Sequence, residues 1–175
     1  MRWLVLAIAV CAACAASPRP PGWETVADGV YLYPETIERY APGDRGGYVV
    51  HALTGADAAA RAALIAAIAT DPDDVVADGV VMRLDEAARA RIAARRDVGA
   101  IEVLQPAARR GVPAGDEVRI DLFADATDAE RDAVAAWLEA RGATVTWRGP
   151  AALRARAADE VRAATARLGP VRWVE

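Results

Sequence analysis

Apolar and polar positions alternate strictly over Val118-Arg119-Ile120-Asp121-Leu122, the period of a strand with one face against a core. Tyr48-Val49-Val50-His51-Ala52-Leu53 is a second strand-like run, and an acidic residue follows each, at Asp57 and Asp128, where a carboxylate suits a helix N-terminus. The pattern then turns helical. Leu64, Ile65 and Ile68 share one face, as do Val134, Trp137 and Leu138, and Gly142 is placed to end the second helix. Two short strands come next in each half, 74–77 with 80–84 around Asp78-Gly79, and 143–148 with 152–157 around Gly149-Pro150. Second helices are predicted over 85–96 and 159–168, and closing strands over 100–104 and 171–175.

The pattern thus repeats at a spacing of about 70 residues, once over 47–106 and again over 117–175. Strand–helix–strand–strand–helix–strand is the split βαβ, or ferredoxin-like, arrangement. The expected fold class is α+β, with two tandem βαββαβ units, each an antiparallel sheet carrying both helices on one face. In that alignment Leu64 matches Val134, His51 matches Asp121, and Ile101 matches Val171. Units of this size bury too little surface to be robust alone, so the two should pack together. Residues 107–116, with Gly111, Pro113 and Gly115, read as a linker. Residues 17–46 read as a tether and extension, in which Val30-Tyr31-Leu32-Tyr33 could add a strand.

The first 16 residues have a different character. Met1-Arg2 gives a positive start, Trp3 to Val10 is an apolar run, and Cys11 to Ser17 is a run of small residues. That order is a secretory signal, too short to span a bilayer as a helix. Cys11-Ala12-Ala13-Cys14 resembles a bacterial lipobox, with Cys11 where Leu is usual, and this makes Cys14 the candidate lipidation site. Ala13-Cys14-Ala15 also suits simple cleavage and secretion. The expected location is the cell envelope through a lipid anchor, or else the periplasm or exterior as a soluble protein. Ser17 to Gly22 would then form an extended tether. Both cysteines lie in this leader, so no disulfide is expected in the remainder.

Composition adds little that is specific. The hydrophobic share of 54% supports a core, though much of it is Ala. All 21 basic side chains are Arg, and the net charge of −4 argues against a general nucleic-acid binder. RNA-recognition modules of similar layout need stacking aromatics on their central strands, which 80–84 and 152–156 lack.

The tandem βαββαβ layout, the Ala-rich first helices and the ending Gly169-Pro170-Val171-Arg172-Trp173-Val174-Glu175 together resemble the N-terminal prodomains of bacterial subtilisin-like proteases. The resemblance is to the fervidolysin-like prodomain group, within the broader propeptide inhibitor family, and it covers about residues 47–175. It implies a chaperone and inhibitor that docks its open sheet face on the protease and lays the following tail in the active-site cleft. Two departures matter. The sequence carries no protease domain, so action is expected in trans, and it closes at Glu175 directly after the last strand. Only Pro106 to Asp116, with Arg109 and Arg110, is then able to run into a cleft.

No catalytic, metal or cofactor site is expected. His51 is the single histidine, so a nucleophile–histidine couple would depend on it alone, and a solvated or interface role fits better. Asp71, Asp73 and Asp74 lack the EF-hand spacing, and Gly43, Gly46 and Gly47 have no Lys or strand-to-helix context for phosphate. Trp137 and Trp173 are assigned to cores, and Arg148, Arg154, Arg156 and Arg172 to the outer face of the second unit. The outer face of the first unit, with Val49, His51, Leu53, Val81, Arg83 and Leu104, is too apolar for a solvated sheet. Either the second unit covers it or a protein partner does. The expected function is protein binding, with a secreted subtilisin-like protease as partner. A structural envelope lipoprotein is the alternative, and a small-ligand sensor of the same topology a third reading.

Overall fold

The computed structural model describes residues 21–71, 74–77, 79–111 and 115–175. The signal segment and Cys14 lie outside them. Among the described residues are four helices and two four-stranded antiparallel sheets, one for each half of the repeat.

The first unit comprises β3 (Gly46–Ala52), α1 (Ala58–Ile68), β4 (Val75–Val76), β5 (Gly79–Leu84), α2 (Glu86–Ala93) and β6 (Val98–Val103). Its strands lie in the order β4-β5-β3-β6. The second comprises β7 (Glu117–Leu122), α3 (Asp128–Glu139), β8 (Thr144–Arg148), β9 (Ala152–Arg156), α4 (Asp159–Thr165) and β10 (Val171–Val174). Here the order is β10-β7-β9-β8, which is the same arrangement read from the other edge.

Local chemistry sets the helix starts. Asp57 and Asp85 accept hydrogen bonds from the Ala60 and Ala88 amides at 2.8 and 2.7 Å, satisfying donors that a first turn leaves free. For α3 the cap is Thr127 rather than the expected Asp128, and Glu130 completes a capping box. Gly142, at φ 81, turns the chain out of α3.

The inner faces carry the cores. Tyr48, Val50, Val80, Leu84, Leu64 and Ile68 pack in the first unit. Val118, Ile120, Leu153, Val134, Trp137 and Leu138 pack in the second. Leu64 and Val134 therefore occupy matching core positions, as expected. The closing strands do not align as expected. Val50 pairs with Ile101, and its counterpart Ile120 pairs with Val174. Ile101 thus corresponds to Val174 and Val98 to Val171, an offset of 73 residues where Val50 and Ile120 differ by 70, because the second unit carries three more residues between its first and last strands.

The N-terminal extension is part of both cores. β1 (Glu24–Ala27) and β2 (Val30–Leu32) form a hairpin turning at Gly29, φ 74. Val30 and Leu32 pack into the second core, while Trp23, Tyr31 and Tyr33 pack against the first. A strand that is apolar on both faces is placed between two cores. Backbone bonds fix it there: Tyr33 N–H donates to Arg167 C=O and Gly169 N–H to Tyr31 C=O, each at 2.9 Å. Gln105 then holds Ile37 by both its amide and its carbonyl.

Candidate protein-binding surface

Two outer sheet faces are available to a partner, and the sequence favours that of the first unit. The structure divides the six residues named there. Val81 and Leu104 form a small apolar cluster with Phe123 of the second unit, with Val49 packed beside them. Phe123 follows β7 and is anchored by its N–H to Pro170 C=O at 3.0 Å. Arg83 is covered too, and its Nη2 donates to Glu130 Oε1 at 2.5 Å. Burial works to lower the Arg83 pKa, and the hydrogen bond and charge of Glu130 outweigh it, so the guanidinium is held above its usual range. Burial likewise works to raise Glu130, but Arg83 and the Thr127 cap bring its carboxyl below the usual carboxylate range. The second unit therefore covers much of this face, and Val81, Arg83 and Leu104 are withdrawn from any external partner.

His51 and Leu53 lie at the open end of the same face. His51 Nε2 is 3.7 Å from Glu102 Oε2, and Leu53 is 51% exposed. With Gly55, Arg61 and Ala100 they line a shallow groove of about 410 Å³. A second groove, about 440 Å³, lies across β6 between Tyr48, Ile101, Val103 and the charged Glu38, Glu86 and Arg89.

The segment expected to reach into a protease cleft begins as packed structure. Pro106–Arg109 is a 3-10 turn, and Arg109 is fully buried. Its guanidinium donates to the carbonyls of Leu104 and Val171 at 3.1 and 2.9 Å and to the Tyr40 hydroxyl at 2.9 Å. Tyr40 in turn donates to Gly47 C=O at 3.2 Å, and burial raises its pKa. Arg109 thus fastens the extension, the first sheet and the second unit together, and in this fold it has no access to an external cleft. The sequence reading of a flexible inserting segment is corrected at this residue. Arg110 is outside, paired with Glu35 at 3.0 Å, and Gly111 N–H donates to Val174 C=O. Glycine is required where these elements meet. A Cβ on Gly47 would lie 2.9 Å from both Arg109 Nη2 and Phe123 Cζ.

The second unit's outer face is open at its centre. Toward the first unit, Arg172 bonds Asp74 at 2.7 Å, and Arg119 bonds Asp121 at 2.8 Å. Asp74 is thereby a buried inter-unit partner of Arg172. Beyond these pairs stand Trp147, 49% exposed, and the exposed Arg154 and Arg156. The Arg154 guanidinium lies 5.9 Å from the Trp147 ring centroid. Trp147, Arg119, Asp121, Pro150 and Arg172 line an adjoining pocket of about 210 Å³.

Two sequence assignments change here. Arg148 is opposite the core residue Leu153 and pairs with Glu139 of α3 at 2.8 Å, so it belongs to the helix side. Trp173 is opposite Asp121 on the outer side and contacts Gly111, so it is half-buried at the linker rather than in the core. Among the described residues no group of three or more His, Cys, Asp or Glu side chains is arranged to hold a metal ion. No helix among them is long and apolar enough to cross a membrane. Comparison of the chain with protein-family models, curated proteins and solved structures gives no match.

Proposed function

We propose that this chain is an exported protein-binding module of the protease-prodomain type, built from two ferredoxin-like units and acting in trans on a subtilisin-like protease. The strand orders β4-β5-β3-β6 and β10-β7-β9-β8 support the topology. One observation carries the functional reading. The two units close one outer sheet face against each other and leave the other open, with Arg154 and Arg156 on the inner strand β9 and Trp147 beside them on the edge strand β8. Sheet-face docking therefore falls to the second unit rather than to Val49, Val81 and Leu104.

The burial of Arg109 favours the chaperone half of the activity over cleft inhibition. It also favours, as second reading, a structural envelope lipoprotein that keeps the fold without a protease. The experiment is to refold denatured subtilisin-like proteases with and without the protein and to measure both recovered and residual activity. A gain in refolding that is lost on Trp147→Ala with Arg154→Glu supports the module. Absence of any complex at micromolar concentration and of any gain supports the structural reading. Cys14 is proposed as the lipid anchor, and loss of acyl label on Cys14→Ser checks it.

A further inference from the structure

We propose that the open face of the second unit binds an acidic segment of a protein, read by Arg154 and Arg156 with Trp147 as the apolar anchor. This rests on the protein-binding reading above and names the chemistry of the partner.

The first support is an imbalance of charge among the strands. Among the described residues, Arg83 of β5 meets Glu130, Arg119 of β7 meets Asp121, Arg148 of β8 meets Glu139, and Arg172 of β10 meets Asp74. Arg154 and Arg156, both on β9, form no ion pair with a carboxylate among the described residues. Glu117 is opposite Arg156 in the ladder, but its carboxylate accepts from the Thr146 hydroxyl at 2.7 Å. Glu117 keeps its charge in that bond, so on β9 two adjacent guanidiniums stand against one neighbouring carboxylate, a local positive excess in a chain of net charge −4.

The second support is the fixed position of Trp147. A Cβ on Gly149 would lie 2.1 Å from the Trp147 ring, so the six-membered edge of the indole packs against the bare glycine of the turn. Its other surroundings are Arg154 and the mouth of the pocket with Pro150. A large ring held in place loses little side-chain entropy on binding, and Trp and Arg are among the residue types enriched where interfaces concentrate their energy. Guanidinium forks match carboxylates in a bidentate way, which selects Asp and Glu side chains over a merely apolar partner.

The test measures anisotropy of a labelled Asp/Glu-rich peptide carrying one Leu, titrated with the full chain. A Lys/Arg-rich counterpart and phosphatidylglycerol vesicles serve as comparisons. Binding of the acidic peptide that weakens with salt is expected, with a loss of about tenfold for each of Arg154→Glu and Arg156→Glu. Trp147→Ala is expected to weaken it by a similar factor, with thermal unfolding unchanged for the arginine variants. No saturable binding, equal binding of the basic peptide, or binding untouched by these substitutions overturns the proposal. Preferential vesicle binding that depends on Arg154 and Arg156 also overturns it and assigns the face to a membrane surface. If a protease complex forms through Trp147 while the acidic peptide fails, the partner chemistry falls and the protein-binding reading stands.

Discussion

Arg83 and Glu130 meet at 2.5 Å across the junction of the two units, their side chains 3% and 12% exposed. The same Glu130 carboxylate accepts the Thr127 N–H at 2.9 Å with its other oxygen, so one side chain both starts α3 and joins the units. Its pKa is depressed in the fold. The stability it contributes is therefore fully present above the ordinary carboxylate range and is lost as pH falls through the folded value. Acid should loosen the junction and the first turn of α3 together. Glu130→Gln, which keeps an acceptor but removes the charge, should cost about 2–4 kcal/mol at neutral pH and flatten the acid limb of stability. Urea unfolding as a function of pH measures both. An acid limb of unchanged steepness in the variant would place the titrating group elsewhere.

Gly47 offers a sharper probe of the same junction. An added methyl group meets Arg109 on one side and Phe123 on the other, each at 2.9 Å, and both are packed from behind. Gly47→Ala should therefore destabilise by about 1–3 kcal/mol, even though Ala is an easy residue for a strand to accept. Equilibrium denaturation measures it. A stabilised variant would show that Phe123 can move aside freely.

Much of the architecture was legible because it depends on local pattern. The alternation of Val118, Ile120 and Leu122 fixes the inner face of β7, and Asp57 and Gly142 mark the ends of helices. What was not legible depends on contacts distant in sequence. Phe123 reads as the last residue of a strand, and only the packed pair of units shows it lying over Gly47. Arg109 reads as a polar residue in a Gly/Pro-rich linker, because burial of a guanidinium among carbonyls from residues 104 and 171 leaves no local signal. The extension did carry a signal. Val30-Tyr31-Leu32-Tyr33 is apolar at every position, the mark of a strand covered on both sides. The open face of the second unit was half visible: Arg154 and Arg156 were assigned to it, while the irregularity in β8 turns Arg148 to the helix side and brings Trp147, which the sequence left without a face, to the outer one.

The double role of the extension leads to a prediction about cooperativity. Leu32 is buried in the second core, and its neighbours Tyr31 and Tyr33 face the first. Leu32→Ala should cost about 2–4 kcal/mol. Because β2 touches both units, the loss should appear as one transition at lower denaturant rather than as selective unfolding of the second unit. Amide exchange read separately on β3 and β7 decides this. Protection lost in β7 alone would mean that the units unfold independently.

Two of the three tryptophans of the second unit, Trp137 and Trp147, should differ sharply in their response to truncation. Trp137 is 4% exposed on α3, packed between the sheet and the helix, with the Arg141 guanidinium 4.1 Å from the ring centroid. Its Nε1 has no acceptor among the described residues, so the side chain acts as bulk apolar filling rather than as a polar anchor. Trp137→Ala removes that volume from a closed core and should cost about 3–5 kcal/mol. Trp137→Phe should cost less, because it keeps most of the filling and deletes the unsatisfied donor. Trp147 is half exposed and rests on Gly149 and Arg154 at the surface, so Trp147→Ala should cost under about 1 kcal/mol. Chemical denaturation of the three variants measures the contrast. A Trp147→Ala loss as large as that of Trp137→Ala would make the exposed ring part of the fold's support and remove the ground for treating it as a binding anchor.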